Sequence, residues 1–175
     1  MIPRLIMMAG VLVTALLLST VVLSALTWGM WRPDLVVLTV VAFALADGPG
    51  TGARYGFVAG LAVDLLSTGS QLVGTAALVL LLVGYTAGVV RPYLSTAGLV
   101  GQVAVASAAS VAAVLAYGLL SQLLEVASAT PLAALQSAMA TGLYNTLLAP
   151  IVLIAVGGLL SRLPSAPSAA SRTSL

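Results

Sequence analysis

The chain has 175 residues, of which 61% are hydrophobic and 6% charged, with a mean hydropathy of +1.21. A soluble domain carries about a quarter charged residues, so this composition excludes an ordinary globular protein and points to a bilayer. The net charge is only +2, a poor footprint for nucleic acid, and the lack of cysteine and histidine removes disulfides, thiolate chemistry and the commonest metal ligand and base.

Six apolar segments follow in chain order. The first runs from about Leu5 to Leu26 behind Arg4. It is longer than the ~7–15 residues of a signal-peptide core, so a retained span is expected. Trp28, Trp31 and Arg32 come next, in the pattern of an interface belt. The second segment runs from Pro33 to about Ala46, with Pro33 placed for a first helical turn and Asp34 beside the positive end of the helix dipole. Asp47-Gly48-Pro49-Gly50-Thr51-Gly52 reads as a turn. The third segment then runs from about Gly52 to Leu66. The second and third segments are short, about 21 to 23 Å as helices against ~30 Å of hydrocarbon. They either span with local thinning or enter partway as a hairpin; spanning is the expectation.

The fourth segment runs from about Leu72 to Val90 and stops at Arg91-Pro92-Tyr93, a sensible interfacial helix end. The fifth runs from about Ala97 to Leu124 and is dotted with Gln102, Ser107 and Ser110. The sixth reaches from near Pro131 to Arg162, longer than a bilayer requires, and contains Asn145 and Pro150. A kink or an amphipathic first portion is expected there. Residues 1–163 are thus expected to form one six-span transmembrane domain. Residues 164–175, rich in serine, alanine and proline, read as a disordered tail.

The arginines orient the chain. With both termini cytoplasmic, Arg4, Arg54, Arg91, Arg162 and Arg172 lie inside and only Arg32 outside, a positive-inside pattern. On the third segment Gly52, Gly56, Gly60 and Asp64 recur every fourth residue and share one helix face. Small residues at this spacing let a second helix approach closely. The stripe packs either against a neighbour in the same protein, with Gly84 and Gly88 of the fourth segment as a plausible partner face, or against a second protein. Asp34 and Asp64 fall at one level near the outer face, where Arg32 is expected to pair with Asp64 unless Asp64 simply reaches water. Asn145 is expected to satisfy carbonyls freed by Pro150, with a hydrogen bond to another helix or a ligand as the alternative.

Motifs for catalysis are sparse. There is no cluster of metal ligands and no phosphate loop, since Gly48-Pro49-Gly50-Thr51-Gly52 lacks the lysine. An Asp34–Asp64 dyad would sit at the edge of the bundle, unlike a membrane aspartyl protease. Neither a catalytic residue nor a cofactor is expected.

One combination of residues is more specific. "RPDLVVLTVVAFALADGPGTGARYGFVAGLAVDLLS" at 32–67, with G-F-x-A-G-L-x-x-D-L from Gly56 to Leu65, is followed by "LVGTAALVLLLVGYTAGVVR" at 72–91, with V-G-Y-x-x-G from Val83 to Gly88. "YNTLLAPIVL" at 144–153 completes the series. This order resembles the rod shape-determining protein MreD, over about half the chain. The resemblance carries over to Asp34, Gly56, Gly60, Asp64, Gly84 and Tyr85 as motif positions. It implies a non-catalytic inner-membrane scaffold of the rod complex, or elongasome, supporting cell shape and lateral peptidoglycan synthesis. Such a protein binds MreC directly and is linked through the complex to MreB, RodA and a class B penicillin-binding transpeptidase. The implied fold is an all-α bundle similar to the substrate-binding S components of energy-coupling-factor transporters. A substrate-binding S component is itself the alternative reading, and ligand-dependent stabilisation would distinguish the two.

Overall fold

The computed structural model describes residues 2–19, 34–66, 74–94, 97–124 and 131–161. Six α-helices occur among them: α1 (Ile2–Leu17), α2 (Leu35–Asp47), α3 (Pro49–Leu66), α4 (Thr75–Val90), α5 (Gly98–Leu123) and α6 (Pro131–Ser161). A 3₁₀ turn, Arg91–Leu94, prolongs α4. The described residues contain no strand. Trp28, Trp31, Arg32, Arg162 and the tail at 164–175 lie outside the described residues.

The bundle is organised around α2. Its sequence, LVVLTVVAFALAD, has no polar stripe, and a helix apolar all round belongs in an interior. Every residue from Leu35 to Leu45 is buried, and α2 touches each of the other five helices. Thr39 is accommodated there because its hydroxyl donates to the Val36 carbonyl at 2.8 Å. At 13 residues, α2 is about 20 Å long. Asp34 is its N-cap and accepts from the N–H groups of Val36 and Val37, each at 3.1 Å. The helix therefore begins at Leu35, two residues later than the expected start at Pro33.

The turn expected over residues 47–52 contracts to a single residue. Gly48, with φ +93° and ψ −178°, reverses the chain, and α3 starts at once with Pro49. Two features drive this. Proline is preorganised for the first helical position, and the Gly48 carbonyl already accepts from the Gly52 N–H at 3.0 Å. Gly50, Thr51 and Gly52 are thereby helical. The α2–α3 pair is a tight antiparallel hairpin, and Phe43 of α2 stacks at 50° on Tyr55 of α3 with ring centroids 4.5 Å apart.

α4 packs most intimately against α3, and α5 against α6. Among the described residues, three stretches are long and apolar enough to cross a membrane: Thr75–Leu94, Gly98–Leu123 and Ala134–Ser161. α2 and the described apolar part of α1 (Ile6–Leu17) are apolar but shorter. Pro150 lies inside α6, which is helical without interruption from Pro131 to Ser161.

Candidate functional site

The four-residue stripe on α3 and the matching face of α4 form an antiparallel seam. Gly52, Gly56 and Gly60 are all buried. A Cβ added at Gly52 would collide with the Gly84 carbonyl, one at Gly56 with the Leu80 carbonyl, and one at Gly60 with Ala76 and Ala77. In reverse, a Cβ at Gly84 would strike the Gly52 carbonyl, and one at Gly88 would strike Pro49. Each step of four along α3 matches a step of four back along α4. All five glycines singled out in the sequence therefore meet one another's helices. The contact is internal, so the stripe is not open to a second protein.

Asp64 continues the stripe and ends it. It is 7% exposed, which excludes a carboxylate simply reaching water. Its Oδ2 accepts from the Gly74 N–H at 2.8 Å and the Ala77 N–H at 3.2 Å, and its Oδ1 from the Ala76 N–H at 3.2 Å. The α4 N-cap is Gly74, in a left-handed conformation with φ +108° and no side chain to cap the helix. Asp64 thus supplies from α3 the cap that α4 lacks, at the positive end of the α4 dipole. The proposed partner Arg32 lies outside the described residues.

A second polar knot ties α2 to α5 and α6. Asn145 is fully buried. Its Oδ1 accepts from the Asp34 N–H at 3.0 Å, while its Nδ2 donates to the Asp34 carbonyl at 3.2 Å and to Ser110 Oγ at 2.8 Å. Ser110 in turn donates to the Ala106 carbonyl at 2.8 Å. Both amide protons of Asn145 are committed, so it cannot also serve a carbonyl freed by Pro150. The interhelical alternative holds instead. One turn position on, Thr146 Oγ1 lies 2.7 Å from both Ser107 Oγ and the Gly142 carbonyl. The polar dots on the fifth segment, Ser107 and Ser110, were visible in the sequence, and polar residues inside an apolar helix face other helices. That signal could have paired them with Asn145 and Thr146; no local rule named Asp34 as the third member.

The arrangement holds helices together and shows no catalytic geometry. The carboxylates of Asp34 and Asp64 serve two different helix N-termini, and no group of three His, Cys, Asp or Glu side chains occurs among the described residues. The Tyr55 hydroxyl, buried beside Thr39, makes no hydrogen bond of ordinary geometry among the described residues. Tyr85, by contrast, faces outward at 50% exposure.

Fold and composition define an all-helical protein with apolar helices suited to a membrane. Within that class, residues 1–163 match the family model of the rod shape-determining protein MreD, and the chain belongs to that family. Its role is in rod shape determination. Comparison with curated proteins gave no match, and comparison with solved structures gave none either, so the S-component likeness of the fold has no support from them.

Proposed function

We propose that the protein is a non-catalytic inner-membrane scaffold of the rod complex, holding MreC directly and supporting lateral peptidoglycan synthesis through it. The observation that carries this reading is the family match over residues 1–163. MreB, RodA and a class B penicillin-binding transpeptidase are reached through the complex. The chain crosses the membrane six times with both termini cytoplasmic, following the arginine distribution. The substrate-binding alternative is not favoured, since the family is one of shape proteins.

The mechanism is helix packing on an outer face. The α3–α4 seam is closed within the molecule, so a partner helix is left with the exposed sides of the bundle. α6 offers the longest of these. Leu135, Met139, Leu143, Leu147 and Ile151 recur every fourth residue along it, each exposed. This row is the face assigned to the transmembrane helix of MreC, and its packing would be dispersive, as expected between helices in lipid.

The test is co-purification of tagged protein with the cell's own MreC in mild detergent, joined to photo-crosslinking from single positions. The scaffold reading expects MreC to be retained, with crosslinks from Met139, Leu143 and Leu147 and none from Leu78 or Leu82 on α4. Recovery of no MreC contradicts the scaffold reading. Retention of MreC with crosslinks only from α4 contradicts the assigned face.

A further inference from the structure

An open-sided cavity of about 470 Å³ lies at the end of the bundle opposite Asp34 and Asp64. It is lined by Leu45, Arg91, Pro92, Leu94, Gly98 and Gln102. The volume falls within the ~300–1,000 Å³ of small-molecule sites. Its lining mixes two chemistries. Leu45, Pro92 and Leu94 are apolar, while Arg91 and Gln102 bring the donors.

The backbone adds to those donors. α5 begins at Gly98, and its N-cap, Ala97, provides no side-chain hydrogen bond. The first N–H groups of a helix have no intrahelical acceptor, and the helix dipole makes that end positive. Gly98, at φ +58°, carries no side chain to cover them. Arg91 lines the cavity and is exposed, with its Nη1 3.7 Å from where a Cβ at Gly48 would stand. A guanidinium is always charged and presents a planar fork of donors that fits phosphate oxygens. A guanidinium fork, a side-chain amide and the first residue of α5 therefore line one cavity together with three apolar side chains.

We propose that this cavity binds a phosphate group, and that in the membrane the group belongs to an anionic phospholipid. The diester would sit between Arg91, Gln102 and the start of α5, with the glycerol end of the lipid against Leu45, Pro92 and Leu94. Under the positive-inside orientation Arg91 and Arg54 lie at the cytoplasmic level, where anionic headgroups attract basic side chains. This site does not rest on the binding of MreC.

The experiment uses the full-length protein in mild detergent. Native mass spectrometry counts retained lipid after incubation with dioleoyl phosphatidylglycerol or, separately, dioleoyl phosphatidylcholine. Thermal unfolding is followed with the same lipids and with inorganic phosphate alone. The variants are Arg91→Gln and Gln102→Leu, with Arg54→Gln as the control for an exposed arginine that does not line the cavity. The wild type is expected to retain one phosphatidylglycerol in preference to phosphatidylcholine. Arg91→Gln is expected to weaken that binding about tenfold, the loss of one charge-assisted contact, and Arg54→Gln to leave it unchanged. If Arg91→Gln fails to fold, Gln102→Leu carries the test with a smaller loss. Stabilisation by inorganic phosphate through Arg91, with no lipid preference, upholds the phosphate site and assigns it a soluble ligand. Binding of neither probe, or equal losses in Arg91→Gln and Arg54→Gln, overturns the proposal.

Discussion

The Asp64 carboxylate closes the start of a helix to which it does not belong: it accepts the Gly74 N–H at 2.8 Å, across the α3–α4 seam. The two residues are only ten apart, yet between them the chain leaves one helix and enters the next. The carboxylate sits on the same line as the glycines because that line faces α4. Where two backbones touch, glycine is required; where α4 begins, an acceptor is required instead.

Removal of this cap should be felt by the whole pair. Asp64→Ala leaves the N–H groups of Gly74, Ala76 and Ala77 without their acceptor in a place almost closed to water. The expected cost is on the order of 2 kcal/mol or more. Asp64→Asn keeps one acceptor oxygen and should cost less. Unfolding temperatures in mild detergent, read from helical circular dichroism, should fall in the order wild type, Asn, Ala.

The Asn145 knot makes a different prediction. Asn145→Leu matches the size of the side chain but orphans the Asp34 N–H and takes one donor each from the Asp34 carbonyl and Ser110 Oγ, which keep the Leu38 N–H and the Ala106 carbonyl as partners, and should cost ~1–3 kcal/mol. Ser110→Ala removes one of the three bonds and should cost less, about 1 kcal/mol. The two changes share a contact, so their effects should not add, and a double-mutant cycle should show coupling of at least ~0.5 kcal/mol.

Much of this architecture could be read along the chain. The six helices, the limits of α6 and a close-packing face at Gly52, Gly56 and Gly60 follow from apolar runs and from a spacing of four, although that spacing alone left open whether α4 or a second protein was the partner. One local expectation failed for a physical reason. The run from Asp47 to Gly52 looks like a turn because glycine and proline usually break helices, but Pro49 starts a helix and Gly52 is a packing position within it. The knot was illegible for another reason. Asn145 lies 111 residues from Asp34, and no periodicity within either segment reports that separation. A nearby proline offered a local explanation, and the long-range hydrogen bonds displaced it.

Gly48 provides a third prediction, drawn from its backbone alone. Its φ of +93° with ψ of −178° lies in a region open almost only to glycine, although there is space beside it. Gly48→Ala should destabilise the α2–α3 hairpin by roughly 1–3 kcal/mol. Asparagine tolerates the left-handed helical region but not this one, so Gly48→Asn should fare no better. Equal losses in both variants, measured by thermal unfolding in detergent, would support a strained one-residue link.

The central claim is that the glycine stripe is a seam inside the molecule, and one comparison tests it most directly. Gly50 and Gly56 lie on the same helix, six positions apart, and both are to be replaced by alanine in protein purified without any partner. A Cβ at Gly56 meets the Leu80 carbonyl, whereas one at Gly50 meets nothing within 4 Å. Gly50→Ala should leave the unfolding temperature unchanged or raise it, since alanine favours a helix over glycine by up to about 1 kcal/mol. Gly56→Ala should lower it sharply or prevent recovery of folded protein. An unfolding temperature for Gly56→Ala equal to that of the wild type would contradict the seam and return the stripe to the surface as a face for another protein.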